Sequence, residues 1–163
     1  MVATLTWVII AVIALAVLTL IYYFNRFVTL ENRIKNSSAQ IDVQLKKRAD
    51  LVPNLVKAVK SFAKHEKSVF DSVNKARSEL LSSTNLNDKV KAGDNLQNAL
   101  KSIFAIAENY PDLKSNQNYL HLQQELSAIE DKVAYSRQYY NDSILDLENA
   151  SQTFPGNLFF NLF

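Results

Sequence analysis

The chain has no cysteine. Disulfides, thiolate metal sites and a cysteine nucleophile are therefore excluded, and redox chemistry says nothing about the compartment. Glycine occurs only at Gly93 and Gly156, and proline only at Pro53, Pro111 and Pro155. A phosphate-cradling loop needs several glycines within a few residues, so P-loop and dinucleotide folds are excluded. A sheet protein of 163 residues would need more turn formers, and the long stretches without breakers point to an all-α fold. His65 and His121 are the only imidazoles. His65-Glu66 is followed by Lys67, Ser68 and Val69, so it is no H-E-x-x-H, and Phe62 and Asn118 stand where an E-x-x-H pair would need glutamate. His121 and Glu125 lie one helical turn apart, a spacing open to a shared metal ion, but a solvated helix face is the expectation. No catalytic residue, cofactor or metal is expected. The net charge of +2 gives no field suited to a nucleic-acid partner.

Charge is missing altogether from residues 2–24. Residues 5–24 span roughly 30 Å at ~1.5 Å per residue, the thickness of a hydrocarbon core. Twelve of these 20 residues are Leu, Ile, Val or Phe. At about −0.3 to −0.6 kcal/mol each, they contribute on the order of −5 kcal/mol toward insertion. Leu5, Ile10, Leu15, Leu20 and Phe24 sit in the span, with Trp7 near one end and Tyr22-Tyr23 near the other, where amphipathic rings favour the interfaces. A buried soluble helix would not need apolar residues on every face. A cleaved signal peptide would need a positive start and a small-residue cleavage site. Here no Lys or Arg precedes Arg26, and no A-x-A pattern follows the run. The segment is expected to stay as an anchor. Arg26, Arg33 and Lys35 follow it, so the positive-inside tendency places the short N-terminus outside and the C-terminal domain in the cytoplasm, with a single pass.

About 139 residues remain after the run, enough for one domain with a core. From Arg26 to Val52 nothing interrupts a helix, and Ile34, Ser38, Ile41, Leu45 and Arg48 repeat at 4-3 spacing. Asp50 reads as an N-cap with Pro53 in the first turn of a new helix, so a reversal is expected there. The 4-3 phase nonetheless continues through Val52, Leu55 and Val59, which one kinked helix would also keep. The second stripe runs through Leu55, Val59, Phe62, Val69, Val73, Ala76 and Leu80. Ser82-Ser83-Thr84-Asn85-Leu86-Asn87 is a polar loop, after which Asn87 or Asp88 caps a third helix bearing Leu96, Leu100, Ile103, Ala107 and Tyr110. Gly93 inside it reads as a tolerated glycine. Tyr110-Pro111-Asp112-Leu113 ends this helix. Ser115 or Asn116 begins a fourth, striped by Leu122, Leu126, Ile129, Val133, Tyr140, Ile144 and Leu147. Four pieces of comparable length with short connections suggest an antiparallel up-and-down four-helix bundle, continuous with the membrane helix.

Asp42, Arg48, Glu66, Arg77, Glu108, Glu130 and Arg137 lie on or beside the stripes. Inward charges must be paired or cost several kcal/mol. Arg48, Arg77 and Arg137 are therefore expected to neutralise acids on facing helices; a polar interior that binds a ligand is the alternative. Residues 153–163 carry no charge and include Phe154, Leu158, Phe159, Phe160, Leu162 and Phe163. Such a segment needs cover, from its own bundle, a second subunit or the membrane surface.

Several runs then resemble one family. Asn25-Arg26-Phe27-Val28 is followed by Ala39-Gln40-Ile41-Asp42-Val43-Gln44-Leu45-Lys46-Lys47-Arg48-Ala49-Asp50-Leu51-Val52-Pro53-Asn54-Leu55-Val56. His65-Glu66, Ala107-Glu108-Asn109-Tyr110-Pro111-Asp112-Leu113-Lys114, Leu122-Gln123 with Leu126, Arg137 with Tyr140-Asn141, and Phe154-Pro155-Gly156-Asn157-Leu158 continue the pattern. Together they resemble the LemA family of bacterial membrane proteins over about residues 25–158. The resemblance implies an N-terminal membrane helix, a small external N-terminus, a cytoplasmic four-helix domain, and kinship with a magnetosome-associated branch involved in forming membrane compartments. It brings no active site. Asp42, Gln44, Arg48, Asp50, Pro53, Asn54, Glu108, Tyr110, Pro111, Arg137, Tyr140 and Asn141 are then structural motif positions, and the resemblance also favours a reversal at Pro53. Two departures stand out: Leu147-Glu148 replaces a second Tyr-Asn pair, and the sequence ends on the aromatic run Phe159-Phe160-Asn161-Leu162-Phe163.

The expected organisation is a short tail (1–4), a transmembrane helix (5–24), a helical bundle (25–152) and an apolar aromatic tail (153–163). The expected function is a non-enzymatic scaffold in contact with the lipid bilayer, forming a homo-oligomer or recruiting a membrane protein partner. Phe154 and residues 158–163 would make contacts between chains or with the membrane, while Asp42, Arg48, Asp50 and Asn54 hold the first hairpin. A sensor or adaptor binding a ligand or a membrane protease is the alternative.

Overall fold

A computed structural model describes residues 1–160; Leu162 and Phe163, named above as contact residues, lie outside the described residues. Among those described, all regular structure is α-helical and no strand occurs. The helices are α1 (Val2–Lys60), α2 (Lys67–Ser82), α3 (Leu86–Ala107), α4 (Pro111–Lys114), α5 (Gln117–Gln152) and α6 (Gly156–Phe160). They form two compact units. The first comprises Met1–Ser37 with residues 138–160, and the second Ser38–Arg137. Both α1 and α5 contribute to each.

The reversal expected at Asp50–Pro53 does not occur: α1 runs unbroken through Pro53. Ile41, Leu45, Val52, Leu55 and Val59 are all buried on one stripe, which a turn at Pro53 would have split. Proline removes the N–H that would bond the carbonyl four residues back, that of Ala49. Arg77 Nε on α2 donates to that carbonyl oxygen at 2.7 Å. Pro53 is exposed, so its ring meets solvent. The chain turns instead at residues 61–66, where the Phe62 and Ala63 amides donate to the Val59 carbonyl at 3.0 and 2.9 Å and Ala63 is buried. The helices are consequently unequal, with 59, 16, 22 and 36 residues in α1, α2, α3 and α5.

In the second unit α2 and α3 pack along one another after a three-residue connection, which makes them antiparallel. Phe70, Val73, Ala76 and Leu80 face Leu96, Leu100 and Ile103 in a buried seam. The cap of α3 falls at Asn85 and not at the expected Asn87 or Asp88. Its Oδ1 accepts from the Asp88 amide at 2.8 Å, and its amide Nδ2 donates to Asp88 Oδ2 at 2.5 Å. The helix ends at Ala107. Pro111 starts the one-turn α4 at a position where a missing N–H costs nothing, and Leu113 is buried beneath it. Asn116 Oδ1 accepts from the amides of Asn118 and Tyr119 at 3.0 and 3.2 Å and so opens α5, one of the two expected starts.

The first unit contains the apolar start of α1. This is the one helix among the described residues long and apolar enough to cross a membrane, and none of its most apolar stretch is buried. Trp7 is 72% exposed. The Thr6 and Thr19 hydroxyls donate back to the carbonyls of Val2 and Leu15 at 2.9 and 2.8 Å, so neither threonine needs water for its hydroxyl proton. Further along, Phe27 and Leu30 form a small core with Ala150 of α5, lined by Tyr23, Leu147 and Phe159. Ser37 and Ser143 are buried, their hydroxyls donating to the carbonyls four residues back at 2.9 and 2.7 Å.

Candidate functional site

Arg48 lies on the buried stripe of α1 between Leu45 and Val52 and is only 2% exposed. Its Nη2 donates to Glu130 Oε2 on α5, and its Nη1 donates to the Gly93 carbonyl on α3 at 3.3 Å. One guanidinium thus ties three helices. Its Nε has no hydrogen-bond partner, nor has Gln44 Oε1 one turn earlier. Burial pulls the Arg48 guanidinium below its ordinary value, while the charges of Glu130 and Asp94 act the other way and that of Arg137 adds to the lowering. Arg137 Nη1 in turn pairs with Asp94 Oδ1 at 2.9 Å. Two cations and two carboxylates therefore neutralise one another around Gly93.

Gly93 permits this approach. A Cβ at that position would stand 2.6 Å from Leu45 Cδ2. The expectation of a merely tolerated glycine is corrected: the missing side chain makes room for α1 against α3. A second tie, Lys89 Nζ to Asp42 Oδ1 at 2.5 Å, joins the same helices. Arg48 and Arg137 neutralise acids on facing helices, whereas Arg77 serves a backbone carbonyl instead.

Among the remaining motif positions, Asp50, Pro53 and Asn54 are exposed on continuous helix, so there is no hairpin at that point for Asp42, Arg48, Asp50 and Asn54 to hold. Gln44 is half-buried. Glu108, expected beside a seam, is exposed and pairs with Lys114 at 3.3 Å. Tyr110 is half-buried before α4, Pro111 is exposed, Tyr140 is half-buried and Asn141 is exposed. Tyr119, not singled out from the sequence, is buried with its ring edge-on to Phe104 at 6.5 Å. Burial, with a smaller contribution from the Glu108 charge, pushes its phenol above the ordinary value. Asp94 and Lys89 were also missed. Asp94 lies on an exposed face of α3 and Lys89 one turn before the buried Ala92 and Gly93, and only the positions of α5 and α1 reveal their partners.

In the first unit the aromatic residues converge. Phe159 stacks on Tyr23 with ring centroids 5.7 Å apart, and Phe160 meets Phe27 edge-on at 5.2 Å. Gly156 makes this possible: a Cβ there would stand 2.0 Å from the Ala150 carbonyl oxygen and 3.0 Å from Tyr23 Cε1. Phe154 and Leu158 point away from this contact, 80% and 61% exposed. Leu5, Ile10, Leu15, Leu20, Tyr22 and Phe24 are exposed along α1, and Tyr23 is half-buried.

Among the described residues no three His, Cys, Asp or Glu side chains converge on a possible metal position. His121 Nδ1 and Glu125 Oε2 lie 3.8 Å apart on an exposed face. Two open grooves flank α1 in the second unit. One of about 580 Å³ is lined by Asn54, Lys57, Phe62, Asn118 and His121, and one of about 360 Å³ by Gln44, Lys47, Asp50, Glu125 and Lys132. Ser61 also lines the larger groove, and its hydroxyl donates to the Ala58 carbonyl at 2.7 Å. Arg48, the buried charge of this unit, is committed to Glu130 and the Gly93 carbonyl and so ties α1, α3 and α5.

These features define an all-α protein with an apolar leading helix and a charge-locked helical unit. The chain belongs to the LemA family, whose model matches residues 37–163. It is 26% identical over 149 residues to magnetosome protein MamQ 2 of Paramagnetospirillum magneticum, covering 76% of this chain and 55% of that protein, and equally to MamQ 1 of the same organism. It is 25% identical over 163 residues to magnetosome protein MamQ of Magnetospirillum gryphiswaldense, covering 84% of this chain and 60% of that one. The chain spans a little over half the length of the curated relatives it matches.

Proposed function

We propose that this protein is a membrane-anchored, non-enzymatic helical scaffold that self-associates or recruits a partner protein at a bacterial membrane. The observation that carries the reading is the continuity of α1. One helix begins with a charge-free, exposed stretch of bilayer length and ends as the central stripe of a unit locked by Arg48. Lipid is the solvent that satisfies the first part, because its backbone and threonine hydroxyls are bonded within the helix. Tethering confines the helical body to two dimensions, where weak contacts count for more. Kinship with proteins named for the magnetosome supports a task in organising a membrane compartment. The N-terminus is outside and the helical body cytoplasmic in this reading, from Arg26, Arg33 and Lys35 after the span.

The experiment has two parts. Alkaline washing of membranes should leave the full chain in the pellet, and release into the aqueous fraction would remove the anchor. Mass measurement in lipid nanodiscs or detergent should then give more than one chain per particle, alone or with a co-purifying membrane protein. A lone monomer under all loading concentrations would remove the scaffold.

A further inference from the structure

We propose that residues 154–160 form a membrane-interfacial foot, inserting Phe154 and Leu158 among the headgroups and upper acyl chains of the leaflet where α1 leaves the bilayer. The proposal rests on α1 being an anchor and adds a second lipid contact to it.

The level of α6 along α1 decides what it meets. The charge-free run ends at Phe24, and α6 is stacked on Tyr23 and Phe27. Phe27 lies only ~4.5 Å beyond Phe24 along a helix rising ~1.5 Å per residue. The interfacial layer on each side of a ~30 Å core is roughly 5–8 Å thick, half the difference from the ~40–45 Å full bilayer. A bilayer that covers α1 up to Phe24 therefore surrounds α6 as well. At this level any surface not covered by the chain itself meets lipid, and Phe154 and Leu158 are the most exposed apolar side chains of residues 154–160.

The chemistry fits the same layer. Residues 153–163 carry no charge that would have to leave the acyl boundary, and Thr153 and Asn157 supply polar groups suited to headgroups. Aromatic rings favour this depth, and interfacial segments sit about 5–10 Å into it. A second copy of the chain fits less well. The opposite side of α6 is occupied by its own Tyr23 and Phe27. Phe154 and Leu158 together offer on the order of 300 Å², short of the roughly 800 Å² per partner in a stable interface. A foot beside the span would restrict rotation of α1 about its axis and its tilt, which side anchors at the interface set.

The test uses the full chain in phosphatidylcholine vesicles whose acyl chains are brominated either high or low. Trp7 is the only tryptophan. In the unchanged protein its quenching by brominated lipid reports the anchor. A Trp7→Phe, Leu158→Trp variant then reports the foot, with Trp7→Phe, Phe154→Trp as an independent second position; both new side chains replace exposed residues. The expected result is loss of most of the variant's emission with bromines high on the chain, and little loss with aqueous iodide. Quenching by iodide and not by lipid overturns the foot. Shielding from both that disappears on dilution in lipid assigns the contact to a second copy and also overturns it. If Trp7 itself is not quenched by lipid, the anchor falls and the foot with it, a result distinguishable from failure of the foot alone.

Discussion

Arg77 Nε donates to the carbonyl oxygen of Ala49 at 2.7 Å, the acceptor that Pro53 leaves without an amide. A proline in the interior of α1 is thus accommodated by a side chain from another helix. The prediction is a coupling. Arg77→Met should destabilise by about 1–2 kcal/mol, the cost of a charge-assisted bond lost from a half-buried site. With Pro53→Ala in place, the restored amide fills the Ala49 carbonyl and the cost of Arg77→Met should fall by at least half. Denaturation of the four variants in one detergent measures it as a double-mutant cycle. Equal costs in both backgrounds would break the link.

The Arg48–Glu130 pair is asymmetric in exposure. Arg48 is buried, whereas the Glu130 side chain is 42% exposed. Glu130→Ala leaves a buried cation with less compensation and should cost about 3 kcal/mol. Arg48→Met removes the buried charge and lets Glu130 turn to water, so it should cost about 1 kcal/mol or less. Chemical denaturation midpoints should follow that order, and the reverse order would show that Glu130 is not what compensates the buried Arg48 charge.

Tyr119 gives a pH dependence with a definite sign. Its phenol is raised in the folded state, chiefly by burial. The unfolded chain therefore loses its proton first as pH rises. The stability tied to the neutral phenol is fully present below the unfolded value near 10.0 and is lost as pH climbs through the higher folded value. Tyr119→Phe should flatten this alkaline decline without changing stability at neutral pH by more than about 1 kcal/mol. Thermal melts between neutral and strongly alkaline pH test it.

Gly156→Ala should undock α6 from Tyr23. The added Cβ meets the Ala150 backbone oxygen, which no rotamer change can move aside. Amide hydrogen exchange should accelerate over residues 153–160 while the α2–α3 seam keeps its protection. Unchanged protection at residues 153–160 would show that the site yields without loss.

Much of the fold was legible along the chain because burial is periodic. The stripe Leu96, Leu100, Ile103 and Ala107 is buried as its spacing predicted, and Asn116 caps α5 where a cap was expected. Pro53 was misread for a physical reason. A proline preceded by Asp50 has the local chemistry of a helix start, and the residue that accommodates it is 24 positions further on. The unbroken 4-3 phase was the better signal, since it reports the side that faces the core. Gly93 was misread likewise, because a glycine's use depends on what approaches it.

The sequence by itself determined the helical class, the charge-free leading segment and the lack of a recognisable catalytic motif, since each follows from composition and local periodicity. Tertiary structure alone decided which acids Arg48 and Arg137 meet, that Arg77 fills a carbonyl, and that Phe159 and Phe160 cover Tyr23 and Phe27. Those pairings join residues tens of positions apart, and helix geometry at one end of the chain carries no information about which side chain arrives from the other.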